Sequence, residues 1–119
     1  MNTQEVAQKL VEFCREGKNV DAINELYADN IISLEQPGVP MERTEGKEGV
    51  LGKNYHWFES VSDVHSVEIY DPVVTGNFFA TAMDMDVTYK NSGRMQMSEI
   101  AVYQVKDGKI VAEQFHYSM

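Results

Sequence analysis

The sequence predicts an α+β fold, with helices packed on one face of a curved, mainly antiparallel sheet. Three observations carry this. Helical spacing of apolar residues is confined to the first half of the chain, up to about Val61. The second half instead alternates apolar and polar residues over long segments. Turn-forming residues separate those segments. A run of helices followed by a run of strands is the signature of segregated layers rather than of a parallel α/β sheet.

The elements follow in order. Val6, Leu10, Phe13 and Cys14 share one helical face, with Thr3 as the expected N-cap and Gly17 as the stop. Ala22, Ile23, Leu26 and Tyr27 form the apolar side of a second short helix. Asn30 to Glu35 reads as a β-strand that Pro37, Gly38 and Pro40 end. A loop of mixed charge leads to a third helix, Gly46 to Ser60, striped by Val50, Leu51, Asn54, Trp57, Phe58 and Val61. Gly49 and Gly52 weaken this helix by roughly 1 kcal/mol each relative to alanine, so it depends on packing its aromatic side. Four alternating segments follow: Val64–Val74, Phe78–Tyr89, Met95–Lys106 and Lys109–Tyr117. Gly76-Asn77, Asn91-Ser92-Gly93 and Asp107-Gly108 join them into a meander.

Composition bounds the function. The chain has 119 residues, which predicts one domain spanning 1–119. Its 19 acidic and 10 basic residues give a net charge of -9. A binder of nucleic acid needs a basic footprint to displace counterions, so nucleic acid is excluded as a partner, and anionic membrane surfaces with it. The single cysteine, Cys14, allows neither an internal disulfide nor a multi-cysteine zinc site, and its place in the helical stripe assigns it to the core. The N-terminal residues lack the pattern of a secretory leader, and no apolar run reaches the ~20 residues of a membrane span. The expectation is a cytoplasmic, reduced protein. Metal-binding spacings are absent, and neither a metal nor a cofactor is expected.

Three stretches carry a family resemblance: YADNIISLEQPG (Tyr27 to Gly38), EGKEGVLGKNYHWF (Glu45 to Phe58) and VKDGKIVAEQF (Val105 to Phe115). With the element order, they make the chain resemble the nuclear transport factor 2-like superfamily, and within it the SnoaL-like polyketide cyclases and steroid delta-isomerase. The resemblance implies a cone-shaped sheet, three N-terminal helices on its concave face, a pocket between them, and dimers through the outer sheet face. It also implies where catalytic groups would fall. The isomerase base matches Gln36, its tyrosine Val11 and its protonated aspartate Ala101, while the cyclase aspartate matches Phe115. An amide cannot abstract a proton, so the known isomerase and cyclase arrangements are both missing.

Strand alternation supplies other candidates. Met95, Met97, Glu99, Ala101, Tyr103 and Val105 share a face on which Glu99 is the lone charge. A buried carboxylate is costly unless paired or protonated, which makes Glu99 the leading catalytic candidate. Its neighbour depends on the last turn. A two-residue turn at Asp107-Gly108 sets His116 opposite Glu99. A three-residue loop sets Phe115 opposite Glu99 and makes Glu113 a diagonal neighbour, the register that the resemblance favours. Glu113 and His116 are therefore the alternative acid/base partners.

Met83, Met85, Met95 and Met97 are expected to point inward as soft, adaptable filling. With Tyr27, Gln36, Trp57, Phe58 and Phe115 they predict a site for an apolar small molecule with one polar end. Trp57 is expected to be buried at the closed end of the cone. Asp84 and Asp86 are expected outside, His56 at the surface, and His65 on a wall or a dimer face. Ala82, Ile100 and Val102 make the outer face apolar enough to predict a homodimer. Two functions stay open: an isomerase-, cyclase- or dehydratase-type enzyme using a pocket carboxylate, and a non-catalytic binding or dimerisation domain of the same fold.

Overall fold

The computed structural model describes residues 1–118. Three helices, α1 (Thr3–Arg15), α2 (Asn19–Leu26) and α3 (Lys47–Ser60), cover one face of a seven-stranded sheet. The strands are β1 (Tyr27–Leu34), β2 (Arg43–Glu45), β3 (Val61–Ile69), β4 (Val73–Thr75), β5 (Phe78–Tyr89), β6 (Gly93–Lys106) and β7 (Lys109–Tyr117). Their order is β2-β1-β7-β6-β5-β3, with β4 also on β5. The sheet is mixed because β1 runs parallel to β7, whereas the remaining pairs are antiparallel. It does not close into a barrel, and β2 and β3 remain its edges. Among the described residues no helix is long and apolar enough to cross a membrane.

Several local expectations change. The cap of α1 is Asn2, not Thr3. The Asn2 side chain accepts from the Glu5 N–H at 2.8 Å, and the Glu5 carboxylate accepts from the Asn2 N–H at 3.0 Å. This reciprocal box uses the glutamate three residues on, a signal that was present in the sequence. The mixed-charge loop holds a short strand, β2, which pairs with the end of β1. Gly49 faces it closely: a Cβ there would lie 2.9 Å from the Thr44 methyl, so a helix-weakening residue is what lets α3 approach. The expected segment Val64–Val74 is interrupted at Tyr70–Pro72 and resumes as β4. Pro72 has no N–H to give to a ladder.

The last hairpin adopts neither expected register. Asp107 (φ 53°) and Gly108 (φ 75°) make a two-residue turn with both residues left-handed, and Lys106 pairs Lys109. A bulge then places one extra residue, Val111, in β7. Beyond it Tyr103 pairs Glu113, Ala101 pairs Phe115, Ile100 pairs His116 and Glu99 pairs Tyr117. Glu99 and Glu113 share a face without being diagonal neighbours.

The core lies at one end of the concave face. Val6, Leu10, Ala22, Ile23 and Leu26 from α1 and α2 meet Ile31, Phe79, Ala101, Tyr103, Val105 and Ile110 from the sheet. The Phe79 and Tyr103 rings stack with centroids 4.6 Å apart. Toward the other end the same strands are covered less. Met83, Met85, Met97 and Glu99 are half-buried, and Met95 is 46% exposed, so it does not fill the interior as expected. Only Val50 of α3 is fully buried; α3 packs on α2, β1, β2 and β3.

Candidate functional site

The ionisable groups of the interior lie between α3 and the concave face of the sheet. The deepest of them is Glu113, 3% exposed. The parallel register sets Ser33 beside Glu113, and the Ser33 hydroxyl donates to Glu113 Oε2 at 2.7 Å. The Tyr27 hydroxyl donates to Glu113 Oε1. On α3, the Lys53 ammonium donates to Ser33 Oγ at 2.6 Å and to Glu35 Oε2 at 3.1 Å. Lys53 also stands over the Phe115 ring, 5.1 Å from its centroid. The Tyr117 hydroxyl donates to Glu35 Oε1 at 3.1 Å, and the Gln36 amide donates to the Tyr117 carbonyl at 2.8 Å. One connected network thus runs outward from the core through Tyr27, Glu113, Ser33, Lys53, Glu35 and Tyr117.

Glu99 stands apart from this network. β6 sets it between Met83 of β5 and Tyr117 of β7, on the concave face. No donor among the described residues reaches its carboxylate. Burial raises its pKa to about 7, Glu35 and Glu113 add to the rise, and Lys53 opposes it. Glu113 is also raised, because burial outweighs the lowering by Tyr27, Ser33 and Lys53. Tyr27 and Tyr103 are pushed well above the ordinary tyrosine range, first by burial and then by Glu113, so both remain phenols. Burial and Glu113 push the Cys14 thiol up to about 11, which keeps it unreactive beside the core.

The two carboxylates therefore have different chemistry. Glu113 has both oxygens engaged by hydroxyls and serves as an anchor between β1 and β7. Glu99 is unengaged, half-buried and able to gain or lose a proton near neutral pH. Those are the requirements for general acid/base work.

The other expected site residues divide. Trp57 is half-buried rather than enclosed at the closed end; its Nε1–H donates to the Tyr89 hydroxyl at 3.2 Å, and that hydroxyl reaches Met97 Sδ at 3.1 Å. Phe58, 41% exposed, packs edge-on against Trp57 and turns away from the interior. Met83, Met85, Met97 and Phe115 lie on the concave face. His116 does not: its register with Ile100 puts it on the outer face, exposed. His56 and His65 are exposed, and His65 Nε2 lies 2.7 Å from Thr88 Oγ1. Asp84 and Asp86 face outward as expected. Asp84 accepts from Tyr70 and Ser98, both at 2.6 Å, and Asp86 accepts a forked pair from Arg94 at 3.0 and 2.8 Å. Among the described residues no three His, Cys, Asp or Glu side chains are placed to hold a metal ion.

Sequence reasoning missed Ser33, Glu35, Lys53, Tyr89 and Tyr117. Ile31, Ser33 and Glu35 keep the period of two along β1 and its extension, so their shared face was readable. Lys53 lies one turn before Trp57, a spacing that puts both on one side of a helix.

The family model described as SnoaL-like domain matches residues 1–117. A solved protein of Mesorhizobium loti, provisionally described as a SnoaL-like polyketide cyclase, is 37% identical over 98% of this chain and 100% of its own, with a TM-score of 0.93. A Burkholderia pseudomallei protein described as NTF2-like and of unknown function is 13% identical, covering 99% of this chain and 92% of its own at a TM-score of 0.80. A Catenulispora acidiphila protein with a ketosteroid isomerase-like fold, solved with trimethylamine, is 17% identical, covering 99% and 88% at 0.77. At those lower identities the likeness is one of fold. No curated protein matches. The order of helices and strands, the mixed open sheet and the match along nearly the whole sequence lead to one assignment: the chain belongs to the SnoaL-like domain family, with the α+β cone fold that NTF2-like proteins share.

Proposed function

We propose that this SnoaL-like protein binds an apolar small molecule with one polar end in the cleft under α3, and that Glu99 moves a proton on it. The reaction class is that of an isomerase, cyclase or dehydratase, in which a carbon-bound or hydroxyl proton is taken by a carboxylate and returned. One observation carries the reading. Glu99 is the half-buried carboxylate that no protein donor satisfies, on a floor of Met83, Met97 and Phe115. The known isomerase arrangement is not used. Gln36 is spent on the Tyr117 carbonyl, and Val11 and Ala101 are buried and apolar.

The test is proton exchange. Ring ketones with acidic α-hydrogens are incubated with the protein in deuterated buffer and followed by NMR. Exchange should follow an apparent pKa of about 7 and fall at least a hundredfold in Glu99→Gln. Exchange that is independent of pH between 5 and 9, or intact in Glu99→Gln, overturns the catalytic role and leaves the non-catalytic binding reading.

Two further proposals accompany it. A second copy covers the outer sheet face, where Ile100 is 51% exposed beside the smaller Ala82 and Val102. Sedimentation at micromolar concentration tests this, and a species of 13.5 kDa would overturn it. A single inert thiol suits a reducing compartment, and the cytoplasm is the proposed location.

A further inference from the structure

We propose that the less covered end of the concave face is a site of methionine oxidation by hydroperoxides. Met95 is the first of the concave methionines to react, and its sulfoxide turns an apolar surface polar. This goes beyond the proposed function and needs no bound ligand.

The strand registers place the sulfurs. Across β3, β5 and β6 the concave side chains form three rows: Val64, Val87 and Met95; Val67, Met85 and Met97; and Ile69, Met83 and Glu99. Three methionines and the exposed Met95 thus stand on two adjacent strands, with Met85 and Met97 direct partners. Cover is lost along the rows. Ile69 is buried at one end, whereas Val64 is 49% and Met95 46% exposed at the other. Met83, Met85 and Met97 are half-buried between them. Met95 therefore offers a soft thioether to a dissolved oxidant from within an apolar row.

Two further contacts set the order of reaction. Met97 Sδ accepts from the Tyr89 hydroxyl at 3.1 Å, and the Trp57 Nε1–H holds that hydroxyl in place at 3.2 Å. This bond engages a sulfur lone pair that attack on a peroxide requires, so Met97 is protected by more than its burial. Cys14 offers no faster target. It packs against the core, and burial and Glu113 push its thiol up to about 11, so little thiolate exists at neutral pH. Met1 and Met41 are as exposed as Met95, but they lie at the N-terminus and in the loop before β2, outside the rows.

In the reaction a sulfur lone pair attacks the distal oxygen of the hydroperoxide. The S–O bond forms as the O–O bond breaks, and the leaving oxygen takes a proton to become water or an alcohol. Sulfur gives up two electrons and the peroxide receives them. The new sulfoxide oxygen is a hydrogen-bond acceptor set into the row of Val64 and Val87.

The experiment treats the full chain with millimolar hydrogen peroxide and follows each methionine by peptide mass spectrometry. Met95 should gain one oxygen at least fivefold faster than Met83, Met85 or Met97, at about the rate of Met41, while Cys14 stays a thiol. Tyr89→Phe should speed oxidation of Met97 several-fold and leave Met95 unchanged, an effect that exposure alone would not produce. Nile red, a neutral dye, reads the apolar surface. Its fluorescence should fall at least twofold on oxidation of the wild type, hold in Met95→Leu, and start low in Met95→Gln. The wild-type time course decides the order of reaction even if a variant fails to fold. Met97 reacting as fast as Met95, or Cys14 reacting before it, overturns the inference. So does a dye signal that is absent or unmoved by oxidation of Met95. None of these outcomes bears on proton transfer by Glu99.

Discussion

The two ends of the concave face are built from the same strands and the same alternation, yet one is a buried core and the other is only partly covered. On β6, Ala101, Tyr103 and Val105 are buried, while two and four residues earlier Glu99 and Met97 are only half covered. The difference lies above the sheet. α1 and α2 lay Val6, Leu10, Ile23 and Leu26 onto the first end, and the one fully buried side chain of α3, Val50, joins that same core, so the second end is left only partly covered. Sheet alternation fixes which residues face inward. The helices then decide whether inward means dry.

The largest expected effect separates the ends by truncation. Phe79→Ala removes a 1% exposed ring stacked on Tyr103 and should cost about 3–5 kcal/mol in denaturant melts. Trp57→Ala deletes a larger side chain at the less covered end and should cost less, about 1–3 kcal/mol, because part of it is already in contact with solvent. Equal losses at both positions would erase the distinction.

Next come the carboxylates. Glu113→Leu leaves the buried hydroxyls of Tyr27 and Ser33 without their acceptor, and should destabilise by about 2–4 kcal/mol. Glu99→Gln should do the opposite. The folded pKa of Glu99, about 7, lies above an unfolded value near 4.5. The stabilising contribution of the protonated form is therefore complete below about pH 4.5 and is lost as pH rises to about 7. The amide removes that loss, so Glu99→Gln should be more stable than wild type by about 2–3 kcal/mol at pH 8, with no gain at pH 4. Melting at the two pH values checks the sign, and a variant no more stable at pH 8 than wild type would mean that water already solvates Glu99.

How much of this was legible follows from the range of each interaction. The inward set on β6 needed only a period of two, so Glu99 was found from the sequence. What Glu99 faces needed the pairing of β6 with β7. That register turned on an extra residue at Val111, which has no local signature comparable to Asp107-Gly108. The bulge moves His116 to the outer face and separates Glu113 from Glu99. The network through Lys53 was harder still, since it joins β1, α3 and β7 across distant parts of the chain. Trp57 was placed by its stripe, but a stripe states direction and not depth.

The smallest effect concerns the helix that seals the closed end. The Asn2 side chain holds the Glu5 N–H, and Glu5 holds the Asn2 N–H, so Asn2→Ala should cost about 1 kcal/mol. Thr3 is the first residue of α1 and makes no capping bond, so Thr3→Ala should be nearly silent. The comparison also bears on the two ends. The cap stabilises α1, which covers the core and not Glu99. Asn2→Ala should therefore lower the melting temperature while leaving the extra stability of Glu99→Gln at pH 8 unchanged. A gain from Glu99→Gln that shrinks in the Asn2→Ala background would mean that the two ends are one cooperative unit.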